Sequence, residues 1–164
     1  MRSLLLLSLL VAPVEARQMV WLNGSDSHGR PFDLRTLRGQ VVALTFTSRY
    51  TKDEAHKINS ALGARVDHNF SVVTVVDLVG VPSLFHGYAK RRIADEENRG
   101  PIRHVVDEGG RIKQSFGVEP DKRVDILVID QQGELRGRFC GERQLVDAER
   151  LIDQLRESLT LKER

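Results

Sequence analysis

Few side chains in this 164-residue chain could do covalent or acid–base chemistry. Cys140 is the only cysteine. No disulfide can form within the chain, so this thiol is inert, an intermolecular linker or reactive. It ends residues 134–140 (ELRGRFC), where period-two alternation puts Leu135, Gly137 and Phe139 on one face and Arg136, Arg138 and Cys140 on the other. Arginine beside a thiol favours thiolate, which makes Cys140 the candidate nucleophile and the candidate link of a disulfide-bonded dimer. The plainer reading is a half-buried, inert residue at a strand end. The histidines His28, His56, His68, His86 and His104 form no His-x-x-x-His pair and accompany no Cys-x-x-Cys. No metal site is expected from them. Gly24, Gly29, Gly109-Gly110 and Gly133 read as turn residues, and no phosphate-binding glycine loop or other cofactor motif is present. Trp21 reads as a packing residue.

The other segment with chemical content is Thr51-Lys52-Asp53-Glu54. It lies between an apolar run (residues 41–47, VVALTFT) and a helical pattern. A helix N-terminus leaves backbone N–H groups unpaired and carries partial positive charge. Thr51-x-x-Glu54 is the capping-box pattern, in which Thr accepts from the third N–H and Glu reaches back to the first. Asp53 adds negative charge to the same turn. Such a cap stabilises by about 0.5–2 kcal/mol. The functional alternative keeps Thr51 and Glu54 as ligand or peptide contacts, since carboxylates beside a hydroxyl can do acid–base work. Local spacing supplies no second acidic or nucleophilic partner, so the cap is the expected role.

The elements that must position these residues follow from hydrophobic periodicity. Residues 41–47 and 70–76 (FSVVTVV) are continuous apolar runs, as strands covered on both faces require. Between them, Ala55, Ile58, Leu62 and Val66 form one helical stripe. A second helix is expected with Phe85, Ala89 and Ile93 in register, ended by Gly100-Pro101. A third strand covers residues 102–106, and a short helical or loop segment covers 110–117. Residues 125–129 (DILVI) turn through Asp130-Gln131-Gln132-Gly133 into the strand that ends at Cys140. A last helix over residues 144–159 buries Ala148, Leu151, Ile152, Leu155 and Leu159. Residues 24–31 read as a turn-rich connection. This order predicts a mixed sheet in an α/β sandwich.

The N-terminus reads as a secretory signal: Arg2, an apolar core over residues 3–11, and a small-x-small site at Val14-Glu15-Ala16. Residues 1–16 are expected to be the signal and 17–164 one domain, with cleavage after Ala16. The apolar core is far shorter than the roughly 20 residues of a membrane span. No Cys follows it to carry a lipid, so the product is expected to be periplasmic or secreted. Formal charge is +2, with 40% apolar and 29% charged residues, which gives no electrostatic case for nucleic acid. The one basic cluster, Lys90-Arg91-Arg92, runs straight into Asp95-Glu96-Glu97 and reads as a solvated helix face.

Residues 32–46 (FDLRTLRGQVVALTF), Val105-Val106-Asp107-Glu108-Gly109-Gly110 with Phe116-Gly117-Val118, and Leu127-Val128-Ile129-Asp130-x-x-Gly133-Glu134-Leu135 resemble successive segments of the redoxin branch of thioredoxin-like proteins. That branch includes thiol peroxidases and periplasmic disulfide reductases. Residues 47–54 and 116–133 are also similar to the small periplasmic YtfJ family, which lacks the dithiol as well. The resemblance implies a thioredoxin-like α/β/α sandwich with a Cys-x-x-Cys at the strand-to-helix junction. Here Thr51 and Glu54 stand at those positions. It also implies a cis-proline before the fourth strand, where this chain has Val124. A cis bond before Val costs about 3–4 kcal/mol, so Arg123–Val124 is expected to be trans.

The reading is an exported thioredoxin-like domain without the catalytic dithiol, binding a protein or peptide partner in the bacterial cell envelope. Thr51, Glu54 and Val124 are its candidate binding residues. The alternative is a thiol oxidoreductase or peroxidase acting through Cys140. A metal or small-ligand carrier is the least supported.

Overall fold

The strand expected before Thr51 is observed as β3 (Val41–Ser48), and all eight of its residues are buried. Burial on both faces requires cover on both faces, and the computed structural model, which describes residues 18–162, supplies it. The expected signal segment lies outside the described residues. After β3 come α1 (Lys52–Gly63), β4 (Phe70–Asp77), α2 (His86–Glu97), β5 (Arg103–Asp107), α3 (Arg111–Phe116), β6 (Asp125–Ile129), β7 (Leu135–Cys140) and α4 (Leu145–Lys162). Before β3 stand two short strands, β1 (Asn23–Asp26) and β2 (Pro31–Asp33), and a 3-10 turn at Leu34–Leu37. The seven-stranded sheet has the order β2-β1-β5-β4-β3-β6-β7. Strands β3, β4 and β5 are mutually parallel, and their remaining partners run antiparallel. The expected α/β sandwich around a mixed sheet is present.

Alternation along β3 divides the core. Val42, Leu44 and Phe46 pack with Leu34, Leu37, Val73, Val75, Leu127 and Ile129 under the N-terminal segment, Ile112 and Phe116. Val41 and Ala43 face the other way, against Ile58 and Leu62 of α1 and Ala148 and Ile152 of α4. On this second face, α2 seals a separate small cluster of Leu78, Ile93 and Val106. Between the two clusters runs a polar row that periodicity did not announce. Thr45, Thr74 and His104 are cross-strand neighbours on β3, β4 and β5. All three are buried. Thr45 and Thr74 share a hydrogen bond of 2.9 Å, and Thr45 donates to Asn59 of α1.

Three expectations need correction. Residues 24–31 contain strands, not only a turn. Asn, Gly, Ser and Asp have poor strand propensity, but tertiary pairing overrides it: β1 adds to the edge of β5 through Ser25 and Asp26. A Cβ at Gly24 would lie 2.7 Å from Val105, so only glycine allows that approach. Phe85 is not on the buried stripe of α2; it precedes the helix, in a 3-10 turn at Ser83–Phe85, and is 53% exposed. The third correction concerns β7. Ile129 pairs with Leu135 but Val128 pairs with Gly137, leaving Arg136 as an extra, bulged residue. The bulge swaps faces, so Leu135 packs in the first core and Phe139 in the second.

Candidate functional site

Thr51, Glu54, Val124 and the end of β7 meet at one corner of the sheet, although the capping box does not form. Thr51 occupies the N-cap of α1 but caps no helix N–H with its side chain. It is buried, and its hydroxyl donates to the Pro120 carbonyl at 2.8 Å. The same oxygen accepts from the Ser48 N–H at 3.0 Å and lies 3.2 Å from the Thr47 hydroxyl. Its single proton goes to Pro120 and a lone pair to Ser48, so the group is engaged within its own fold. Ser48 reinforces the arrangement, its hydroxyl donating to Pro120 at 3.3 Å.

Glu54 likewise does not reach back to Thr51. Its Oε2 accepts from the Val124 N–H at 2.9 Å and its Oε1 from the Glu142 N–H at 3.1 Å. One carboxylate in the first turn of α1 thus holds both the loop entering β6 and the loop leaving β7. Gly141 makes the second contact feasible: it has φ 74°, and a Cβ there would stand 2.9 Å from Glu54 Oε1. The Gly141 N–H in turn donates to the Val124 carbonyl at 2.8 Å. Val124 is fully buried against the α1–α4 face. No peptide bond among the described residues is cis, so Arg123–Val124 is trans as expected.

Cys140 pairs with Asp125 across β6 and β7, and its N–H donates to Gln144 Oε1 at 2.6 Å. Neither Arg136 nor Arg138 turns to the thiol. Arg136, displaced by the bulge, turns to Asp130 at 3.6 Å, and Arg138 donates to the Phe116 carbonyl at 2.8 Å. Burial pushes the Cys140 thiol up, with the negative charges of Asp125 and Glu54 adding to it and Arg123 opposing. A thiol held protonated is a poor nucleophile. Asp125 itself is raised, chiefly by burial.

A second charged group lies at the ends of the parallel strands and was not legible beforehand. Asp77 closes β4, and its buried carboxylate accepts from Lys113 Nζ at 2.5 Å and from the Val79 N–H at 2.9 Å. The Lys113 N–H donates to Asp107, which closes β5. The ammonium is held above its ordinary pKa, first by its hydrogen bond to Asp77. Together these contacts lock α3 onto the strand ends, a structural duty. Among the described residues, no three metal-ligating side chains converge. A shallow depression of about 400 Å³ between Arg65 and α4, lined by Glu149, Arg150 and Asp153, lies apart from the Thr51–Glu54 corner.

Neither a scan against protein-family models nor a search of curated proteins returns a match. Solved structures do. A thiol-disulfide isomerase from Corynebacterium glutamicum superposes with a TM-score of 0.69 at 15% identity, over 85% of this chain and 96% of that one. A secreted thiol-disulfide isomerase from the same organism gives 0.63 at 18% identity, over 85% and 86%. An exposed lipoprotein thioredoxin from Streptococcus pneumoniae gives 0.64 at 16% identity, over 83% of this chain and all of that one. At such low identity the likeness speaks for architecture, and it agrees with the sheet order and helix placement above: the chain is thioredoxin-like in fold.

Proposed function

We propose that this is a non-catalytic binding protein of the bacterial cell envelope, a thioredoxin-like domain without the catalytic dithiol. The observation that carries the reading is the engagement of Glu54. At the helix end where the resemblance places a reactive sulfur, the side chain is a carboxylate with both oxygens bonded to backbone N–H groups of two other loops. Thr51 is equally committed. Burial pushes the lone thiol's pKa up, which supports the same reading. Export is supported by the sequence of residues 1–16 and by the secreted and lipoprotein character of structural neighbours.

The exposed surface supports a binding role. Eight large hydrophobic side chains are exposed among the described residues. Four of them, Tyr50, Val79, Leu84 and Phe85, stand on the two connections that follow the neighbouring strands β3 and β4, and a fifth, Tyr88, stands in the first turn of α2 beyond the second connection. Clustered exposure of this kind marks interaction surfaces rather than random wear. The test is insulin reduction and peroxide consumption by the wild type and Cys140→Ser, with non-reducing gels of both. The expected outcome is no turnover above background and no thiol-dependent dimer. Turnover that disappears in the Ser variant would establish the oxidoreductase alternative instead.

A further inference from the structure

Three of the exposed apolar side chains, together with Arg91 and Arg92, stand at the N-terminal end of α2. Leu84 is 84% exposed, Phe85 53% and Tyr88 60%. Along α2, Tyr88 shares the outer side with Arg91 and Arg92 at helical spacing, away from Ile93 and Ala94, which are buried, while Leu84 and Phe85 stand exposed in the 3-10 turn that leads into the helix. Arg91 and Arg92 therefore stand one turn above the apolar group. Arg91 donates only to the Gly87 carbonyl, and neither guanidinium has an ion-pair partner among the described residues. Lys90 differs, being paired with Glu108. Asp95 and Glu96 follow a further turn along, on the far side of the arginines from Leu84.

This end is also held rigid. The His86 ring lies 2.8 Å from the Val81 carbonyl through Nε2 and 3.2 Å from Glu108 through Nδ1. The Phe85 N–H donates to the Pro82 carbonyl at 2.8 Å. The apolar side chains are thus fixed outward as knobs. Leu84 is almost fully exposed. A protruding Leu-Phe pair, a tyrosine beside it and two unpaired arginines one turn back match the layers of a lipid interface: acyl chains, headgroup zone and phosphates.

We propose that the tip of α2, through Leu84, Phe85, Tyr88, Arg91 and Arg92, seats on the surface of an anionic lipid bilayer. No helix among the described residues is long and apolar enough to cross a membrane, so the contact is peripheral and reversible. Each arginine near an anionic surface strengthens binding on the order of fivefold at low salt.

The test is flotation of the full chain with vesicles of phosphatidylcholine containing about 30 mol% phosphatidylglycerol, against pure phosphatidylcholine. Binding is expected on the anionic vesicles only, weakening when salt is raised well beyond physiological strength. Arg91→Gln with Arg92→Gln is expected to weaken it roughly 25-fold. Leu84→Ser with Phe85→Ser is expected to abolish it, while Val146→Ser, an exposed apolar residue on α4, leaves it unchanged. Circular dichroism confirms that each variant is folded. No flotation of wild type, or flotation indifferent to the α2 variants, overturns the proposal. So does a finding that Leu84→Ser with Phe85→Ser alters only self-association or a protein complex.

Discussion

The clearest consequence of the structure is the cost of removing the Glu54 carboxylate. Its two hydrogen bonds join α1 to residues 70 and 88 positions away. A hydrogen bond to a charged group contributes about 1.5–3 kcal/mol when shielded. The Val124 bond is partly buried and belongs in that range; the Glu142 bond is exposed and contributes less, about 0.5 kcal/mol. A negative charge in the first helical turn adds roughly 0.3–1 kcal/mol. Glu54→Gln keeps the shape but turns one oxygen into a donor that faces an N–H, leaving one backbone donor unpaired. A loss of about 2 kcal/mol is expected, and about 3 kcal/mol for Glu54→Ala. For a domain of this size, 2 kcal/mol corresponds to a fall in Tm of roughly 6 °C. The assays are urea denaturation followed by circular dichroism and amide hydrogen exchange at Val124, whose protection should fall with the variant. A loss below about 0.5 kcal/mol with Val124 protection intact would refute the clamp. It would point back to a local cap.

Further outcomes follow from the same geometry. Thr51→Val removes the donor to Pro120 and the acceptor for Ser48, and is expected to cost about 2 kcal/mol, whereas Thr51→Ser retains both and costs under half of that; equal losses would sink this assignment. The Cys140 thiol is expected to titrate above its ordinary range and to alkylate more slowly at neutral pH than a free cysteine peptide, checked by ultraviolet titration against Cys140→Ser. His104 is more than nine-tenths buried, its Nδ1 has no hydrogen-bond partner, and burial lowers its pKa despite Glu97 and Glu96 nearby. The folded state therefore holds the ring neutral while the unfolded chain takes up a proton near pH 6.5. Stability is full above that pH and is lost as pH falls from about 6.5 toward the lowered folded value. Denaturation between about pH 7 and pH 5 should show this slope, and His104→Phe should flatten it.

Much of the fold was legible in the chain. The apolar run from Val41 and the DILVI segment announce strands covered on both faces, and β3 and β6 appear where those runs lie. Ala55, Ile58 and Leu62 mark the buried side of α1. The short strand β1 was not legible, because Asn-Gly-Ser-Asp has no strand signature and forms one only through the open edge of β5. Phe85 misled for the opposite reason. Its spacing suits a buried helical stripe, yet the chain enters α2 through a 3-10 turn that points it outward.

The candidate site shows the same division. The amino-acid sequence alone settles that one thiol is present and that Thr51 and Glu54 frame the start of a helix. Val124 was singled out only through the resemblance, as a candidate binding residue, and its N–H is one of the two that Glu54 holds. A four-residue pattern reports only the bonds available within one turn, and there the capping box was the natural reading. Tertiary structure decided otherwise, because closing the β6 and β7 loops brings the N–H groups of Val124 and Glu142 within reach of the Glu54 carboxylate. The Pro120 carbonyl similarly captures the Thr51 proton. At Cys140, strict alternation puts Arg136 and Arg138 on the thiol's face, whereas a bulge turns Arg136 to Asp130 and burial beside Asp125 pushes the thiol up. Partners distant in sequence are set by loop closure and strand register, and neither is written in local periodicity.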